Sequence, residues 1–243
     1  MIATASDYTW LSNRFPGLME AYCLTLVKGL TPEGLLDRLG ARVECRVTGA
    51  EELVEPAYQA WEEHDGDRLF VGVTAVGGWA LAIEPNGYLG TLNEAIIPLS
   101  QGTRLVSHFR NINAVDHFFW LEDGNRRLHF EPLFPTVRNG SDPDGLVEVM
   151  RQVGFDLSEN DASYELHTEA TFALAEHLTG IRLTPELLQS ATYLCGTAPV
   201  PGRADSGIGT TTYRGAGVGL TRITGGRYAE VPAHDRYGRS IRP

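Results

Sequence analysis

The stretch TRLVSHFRNINAVDHFFWLEDGNRRLHFEPL, residues 103–133, decides the fold. It divides into strands at 103 to 110, 115 to 122 and 126 to 133, broken at Ile112-Asn113 and Asp123-Gly124, which is the spacing of a meander. Connections this short carry no parallel crossover, so the sheet is expected to be largely antiparallel. The middle strand is apolar on both sides, with Val115, Phe119 and Leu121 on one and Phe118 and Trp120 on the other. It is therefore expected inside the sheet, covered on both faces.

Working outward, strands are expected at 69 to 76 and 79 to 84, joined around Gly77-Gly78 and followed by a Pro85-Asn86-Gly87 turn. Val43, Cys45 and Val47 alternate with charged residues and predict a further half-buried strand. Helical spacing marks 14 to 28, where Phe15, Leu18, Met19, Tyr22, Leu26 and Val27 share a stripe that Gly29 closes. Thr31-Pro32 opens a second helix that ends at Gly40, and Thr184-Pro185 repeats that start. Further helices are expected at 49 to 63, 142 to 153, 161 to 178 and 184 to 194. A sheet segment between helical segments reads as α+β. From Gly196 onward the chain is rich in Gly, Pro, Thr, Ser and Arg without periodicity, so residues 1–195 are taken as one domain and 196–243 as a flexible tail.

The chain has 243 residues, 42% of them hydrophobic, enough for a sizeable core. Its 31 acidic and 20 basic residues leave a formal charge of -11. Residues 196–243 hold seven Arg against three acidic residues, net +4, which leaves 13 basic and 28 acidic side chains, net -15, in residues 1–195. Such a body repels phosphate backbones and anionic lipid, so neither duplex DNA nor a membrane is expected as partner. A start without a basic leader and the lack of any long apolar run predict a cytoplasmic protein. Cys23, Cys45 and Cys195 lie far apart with no Cys-x-x-Cys, so reduced thiols are expected, with no disulfide framework, no metal and no cofactor.

Two groups of candidate site residues follow from strand parity. Ala80, Ala82 and Glu84, beside Gly72 and Thr74, leave a shallow lane that either a close-packed helix fills or a ligand or peptide occupies. Arg104, His108 and Arg110 on one strand and Arg127, His129 and Glu131 on another bring His108, Arg110, His129 and Glu131 into a polar patch if their rows share a face. Imidazole beside carboxylate is what a general base requires, and arginine holds anions. The Glu62-Glu63-His64-Asp65 cluster ends a helix and is expected to stay solvated. There is no Gly-x-Ser-x-Gly elbow, no Walker loop and no His-Glu-x-x-His helix.

The favoured reading is a non-catalytic binding module of regulatory, defence or immunity type. It acts on a basic protein partner through its acidic surface or the sheet groove, with Trp79, Glu84, Arg110 and Trp120 as binding residues and Tyr88 as a further anchor. The alternative is a hydrolase using His108, His129 and Glu131. Arg214, Arg222 and Arg227 with Tyr213 and Tyr228 add an expectation of weak single-stranded nucleic-acid contact by the tail.

Four blocks carry a family resemblance: EAYCLTLVKGLTPEGLLDRLGA at 20–41, GGWALAIEPNGYLG at 77–90, LSQGTRLVSHFRNINAVDHFFWLEDG at 99–124 and FEPLFPTVRNGSDPDGL at 130–146. In this order they resemble an uncharacterised domain family found mainly in actinobacteria, over about residues 8 to 195. The resemblance implies a bacterial α+β domain and carries no activity, cofactor or functional residue.

Overall fold

The computed structural model describes residues 2–158 and 165–203 in full, and the backbone of three strands at 212–215, 218–223 and 227–230. Strand β1 (Tyr22–Lys28) is followed by β2 (Cys45–Thr48), β3 (Arg68–Val76), β4 (Trp79–Pro85), β5 (Arg104–Arg110), β6 (Asp116–Glu122), β7 (Asn125–Phe130), β8 (Arg138–Asn139) and β9 (Thr192–Pro199). Among the described residues these form a nine-stranded sheet in the order β2-β9-β3-β4-β1-β5-β6-β7-β8, with every pair antiparallel. The β5-β6-β7 meander is present as its turns predict. Strand β1 is inserted between the β3-β4 hairpin and the β5-β6-β7 meander, and β9 between β2 and β3.

The helices are α1 (Leu11–Arg14), α2 (Pro16–Glu20), α3 (Pro32–Arg38), α4 (Val54–His64), α5 (Asn93–Ser100), α6 (Val147–Val153), α7 (His167–Thr179) and α8 (Pro185–Ser190). They bury two cores, one on each side of the sheet. Helices α1, α2, α4, α6, α7 and α8 cover the face of Leu24, Leu81, Val106, Phe118 and Trp120. Helices α3 and α5 cover the face of Val27, Ala80, Ala82, Leu105, Phe119 and Leu121. Strand β6 is thus covered on both sides, as its double apolar pattern requires. The fold is α+β.

The helix expected over 14 to 28 is not formed. Pro16 starts a five-residue helix, Ala21 turns extended, and Tyr22 to Val27 are all buried in β1 between β4 and β5. A continuous apolar run offers a 3.6-residue stripe and an alternating pattern at once, so periodicity alone does not separate the two. The body runs past Gly196 to Pro201. The expected helix 184 to 194 stops at Ser190, β9 runs on to Pro199, and the compact unit spans Met1–Pro201. Gly196 lies opposite Val71 in that strand, where a Cβ would collide with the Arg42 carbonyl oxygen. Small residues here mark a close crossing of two chain segments rather than a linker.

The second compact unit, Gly202–Pro243, contains β10 (Thr212–Gly215), β11 (Val218–Ile223) and β12 (Arg227–Glu230) as an antiparallel sheet in that order. The aperiodic tail read from the sequence therefore contains paired strands. Apart from Gly202 and Arg203 its remaining residues lie outside the described ones, as do the side chains of Tyr213, Arg214, Arg222, Arg227 and Tyr228 on which the nucleic-acid expectation rests.

Candidate binding surfaces

Pairing register decides what becomes of the predicted polar patch. His108 stands opposite Phe118 and His129 opposite Phe119, so the two histidines face consecutive residues of β6 and project to opposite sides of the sheet. The β6-β7 register also shifts at Trp120/Leu121, a bulge that separates Arg127 from His129. Arg127 lies over the Trp120 ring at 5.6 Å, on the face of the first core. Glu131 follows the end of β7. His108, His129 and Glu131 do not converge, and the geometry the hydrolase alternative requires is not formed.

Each half of that patch joins a different cluster. His108 is 2% exposed, with its ring edge-on to Tyr22 at 5.2 Å and to Phe172 at 5.0 Å. Burial drives its pKa down to about 3, so it is a neutral core residue. Arg110 reaches the buried Asp116, with Nη1 3.2 Å from Oδ2, and His167 Nε2 lies 3.4 Å from the same oxygen. The Leu133 N–H donates to Asp116 Oδ1. Burial alone would raise the Asp116 pKa, but the His167 hydrogen bond and the nearby positive charges hold it below the usual carboxylate value. This cluster fastens the first turn of α7 to the end of the β5-β6 pair, and Arg110 is committed to it.

His129 lies on the other face, stacked on Phe119 at 4.3 Å, with Nε2 3.4 Å from His117 Nδ1 and Nδ1 beside the Asn139 amide. Burial, then the neighbouring His117, lowers its pKa to about 4. Among the described residues no group of three or more His, Cys, Asp or Glu is placed to hold a metal ion.

The lane beside Ala80 and Ala82 is also absent. Gly72 pairs with Ile83 and Thr74 with Leu81, so the glycine lies on the face opposite the two alanines. Leu53 and Tyr193 already occupy the space above it. Trp79 and Trp120 are 4% and 8% exposed in the first core and present no surface to a partner. Glu84 is buried and accepts the Leu89 N–H at 2.8 Å on Oε2 and the Gly90 N–H at 3.3 Å on Oε1. Burial raises its pKa to about 7. It clamps the turn after β4 and is unavailable as a contact residue.

One accessible acidic surface is the outer side of α4. Its buried side is made by Ala57 and Ala60, and its outer stripe by Glu55, Tyr58, Gln59 and Glu62, at the i, i+3, i+4 and i+7 spacing of one helix face. Residues 47–67 contain seven acidic residues and no Arg or Lys. Glu51 is used internally, accepting the Gly17 N–H at 2.7 Å and the Leu18 N–H at 3.1 Å at the start of α2. Glu52, Glu55, Glu62 and Glu63 stay exposed. Tyr58 is 37% exposed among them, and partial burial followed by the Glu20 carboxylate raises its hydroxyl pKa. The Glu62-Glu63 end of this stripe is visible in the sequence as part of an acidic cluster, whereas Tyr58 is not among the residues that the sequence singles out. An aromatic residue on the polar side of an amphipathic helix was the available signal.

The family model for a family of unknown function, DUF6461, matches residues 1–202. The chain belongs to that family. The DUF6461 match ends one residue past the Met1–Pro201 unit, so the family domain coincides with the nine-stranded body. No curated protein and no solved structure matches the chain. Among the described residues no helix is long and apolar enough to cross a membrane.

Proposed function

We propose that the DUF6461 body is a non-catalytic binding domain that receives a basic segment of a protein partner on the outer stripe of α4. The observation that carries this reading is Tyr58, an exposed aromatic ring flanked on its own helix face by Glu55 and Glu62 with no cation in the surrounding sequence. A ring face attracts Lys and Arg side chains, most strongly where water is partly excluded, and flanking carboxylates add complementary charge. The net charge of -15 on residues 1–195 supplies the longer-range field that speeds encounter with a cationic partner.

Fluorescence anisotropy with a labelled Arg/Lys-rich peptide tests the proposal. Binding is expected to weaken as salt rises through about 0.1 M, where the screening length falls to about 10 Å. Tyr58→Ala and Glu62→Gln are each expected to reduce affinity roughly tenfold, on the order of 1.4 kcal/mol, while Tyr58→Phe retains it. Equal affinities for all four proteins would sink the assignment to α4.

A further inference from the structure

Cys45 and Cys195 are direct partners across the β2-β9 pair. Opposed residues of an antiparallel pair have Cα atoms about 4.5 to 5.5 Å apart, within the roughly 4.4 to 6.8 Å that a disulfide bridges. Their side chains leave the ladder on the same face, because paired positions share one. Both are free thiols, with Cys45 exposed and Cys195 without exposed surface. Strand β2 is a four-residue edge strand whose ladder partner is β9, and its Cys45 end follows exposed chain at Val43. Cys23 is a contrast: it lies on β1 opposite Glu84 and Phe109, is buried, and has Ser107 and Thr25 as its neighbours.

We propose that Cys45 and Cys195 form a hydroperoxide-reactive thiol pair that closes a disulfide between the edge strand and its neighbour. The proposal is independent of the reading of α4. Cys45 is the residue an oxidant in solution meets first. Its thiolate attacks one peroxide oxygen, an S–O bond forms and the O–O bond breaks, and the departing oxygen takes up the thiol proton as water or an alcohol. The resulting sulfenic acid stands over Cys195. The Cys195 thiolate attacks that sulfur, the S–S bond forms, the S–O bond breaks, and the hydroxyl leaves with the second thiol proton as water. Two thiols thus lose two protons and two electrons to one hydroperoxide. Burial and the adjacent Cys45 thiol raise the Cys195 pKa to about 12, so the second step quickens as pH rises.

The test is hydrogen peroxide treatment of the folded full chain, alkylation of remaining thiols under denaturing conditions, and peptide mass spectrometry. The expected product is a Cys45–Cys195 crosslinked peptide two hydrogens lighter than its parts, reversed by a dithiol, with Cys23 recovered alkylated. Cys195→Ser is expected to stop at a Cys45 sulfenic acid that dimedone traps. Cys45→Ser, at an exposed position, is expected to leave Cys195 a thiol, which keeps the proposal testable if the buried substitution does not fold. Recovery of Cys195 as a free thiol from wild-type protein, with Cys45 either over-oxidised or linked to a second molecule, would overturn it.

Discussion

Replacing His108 by phenylalanine should make the protein less stable near neutrality and more stable in acid. The imidazole is neutral in the fold, with its pKa lowered to about 3 from 6.5 by burial. A group whose folded pKa is depressed holds its full contribution above the unfolded pKa and loses it as pH falls towards the folded one, because the unfolded chain takes up a proton that the native state refuses. The loss for His108 reaches about 3 kcal/mol at pH 4 and is negligible at pH 7, above both values. Phenylalanine removes this titration and keeps the ring contacts with Tyr22 and Phe172. A small apolar cavity of about 20 Å³ lined by Leu24, Val106, His108 and Phe172 accepts the slightly larger ring. The substitution also strands the Tyr22 hydroxyl, whose oxygen lies 3.4 Å from His108 ring nitrogens, at a cost of about 1 kcal/mol at every pH. The variant is then about 1 kcal/mol less stable than wild type at pH 7 and roughly 2 kcal/mol more stable at pH 4, so the two stability curves cross. Urea unfolding followed by tryptophan fluorescence across this range measures both. Parallel curves would refute the claim that His108 is held neutral in the core.

Asp116→Asn leaves Arg110 and His167 without their shared anion and should cost about 3 kcal/mol, read from urea midpoints, with the first turn of α7 losing amide-exchange protection before the sheet does. Gly90→Ala forces a methyl group into Thr25, Ser107 and Cys23 and should cost roughly 2 kcal/mol, whereas Gly78→Ala meets no atom and pays only for its positive φ. Glu84 runs opposite to His108: its pKa is raised to about 7 by burial, so its contribution is full below 4.5 and is lost as pH rises through 7. A protonated-carboxyl infrared band at about pH 6 that disappears in Glu84→Gln is the expected signature, and its absence in wild type would refute the assignment. Tyr58→Ala, at an exposed position, should change stability by less than about 0.5 kcal/mol while weakening peptide binding roughly tenfold.

Turns and alternation made the β5-β6-β7 meander, the β3-β4 hairpin and the Thr-Pro helix starts at Thr31 and Thr184 legible, because each depends on chemistry within a few residues. The same local evidence misassigned β1, a run buried on both sides, and β9, whose Gly-Thr-Ala-Pro composition reflects the chain crossing above it. The candidate site suffered more. Parity along β7 fails because the bulge opposite Trp120/Leu121 puts Arg127 and His129 on different faces of one strand, and relative parity between strands is set by register, which no single strand shows.

By itself the sequence determined the α+β class, the antiparallel meander and the acidic character of residues 1–195, all of which follow from composition and short-range pattern. Only the tertiary structure decided that His108 and His129 lie back to back across the sheet, that Trp79 and Trp120 are core, that Tyr58 is exposed and that Cys45 meets Cys195. These are pairings between segments as much as 150 positions apart, and they are selected by how two whole faces of the sheet are buried, a quantity no local window contains.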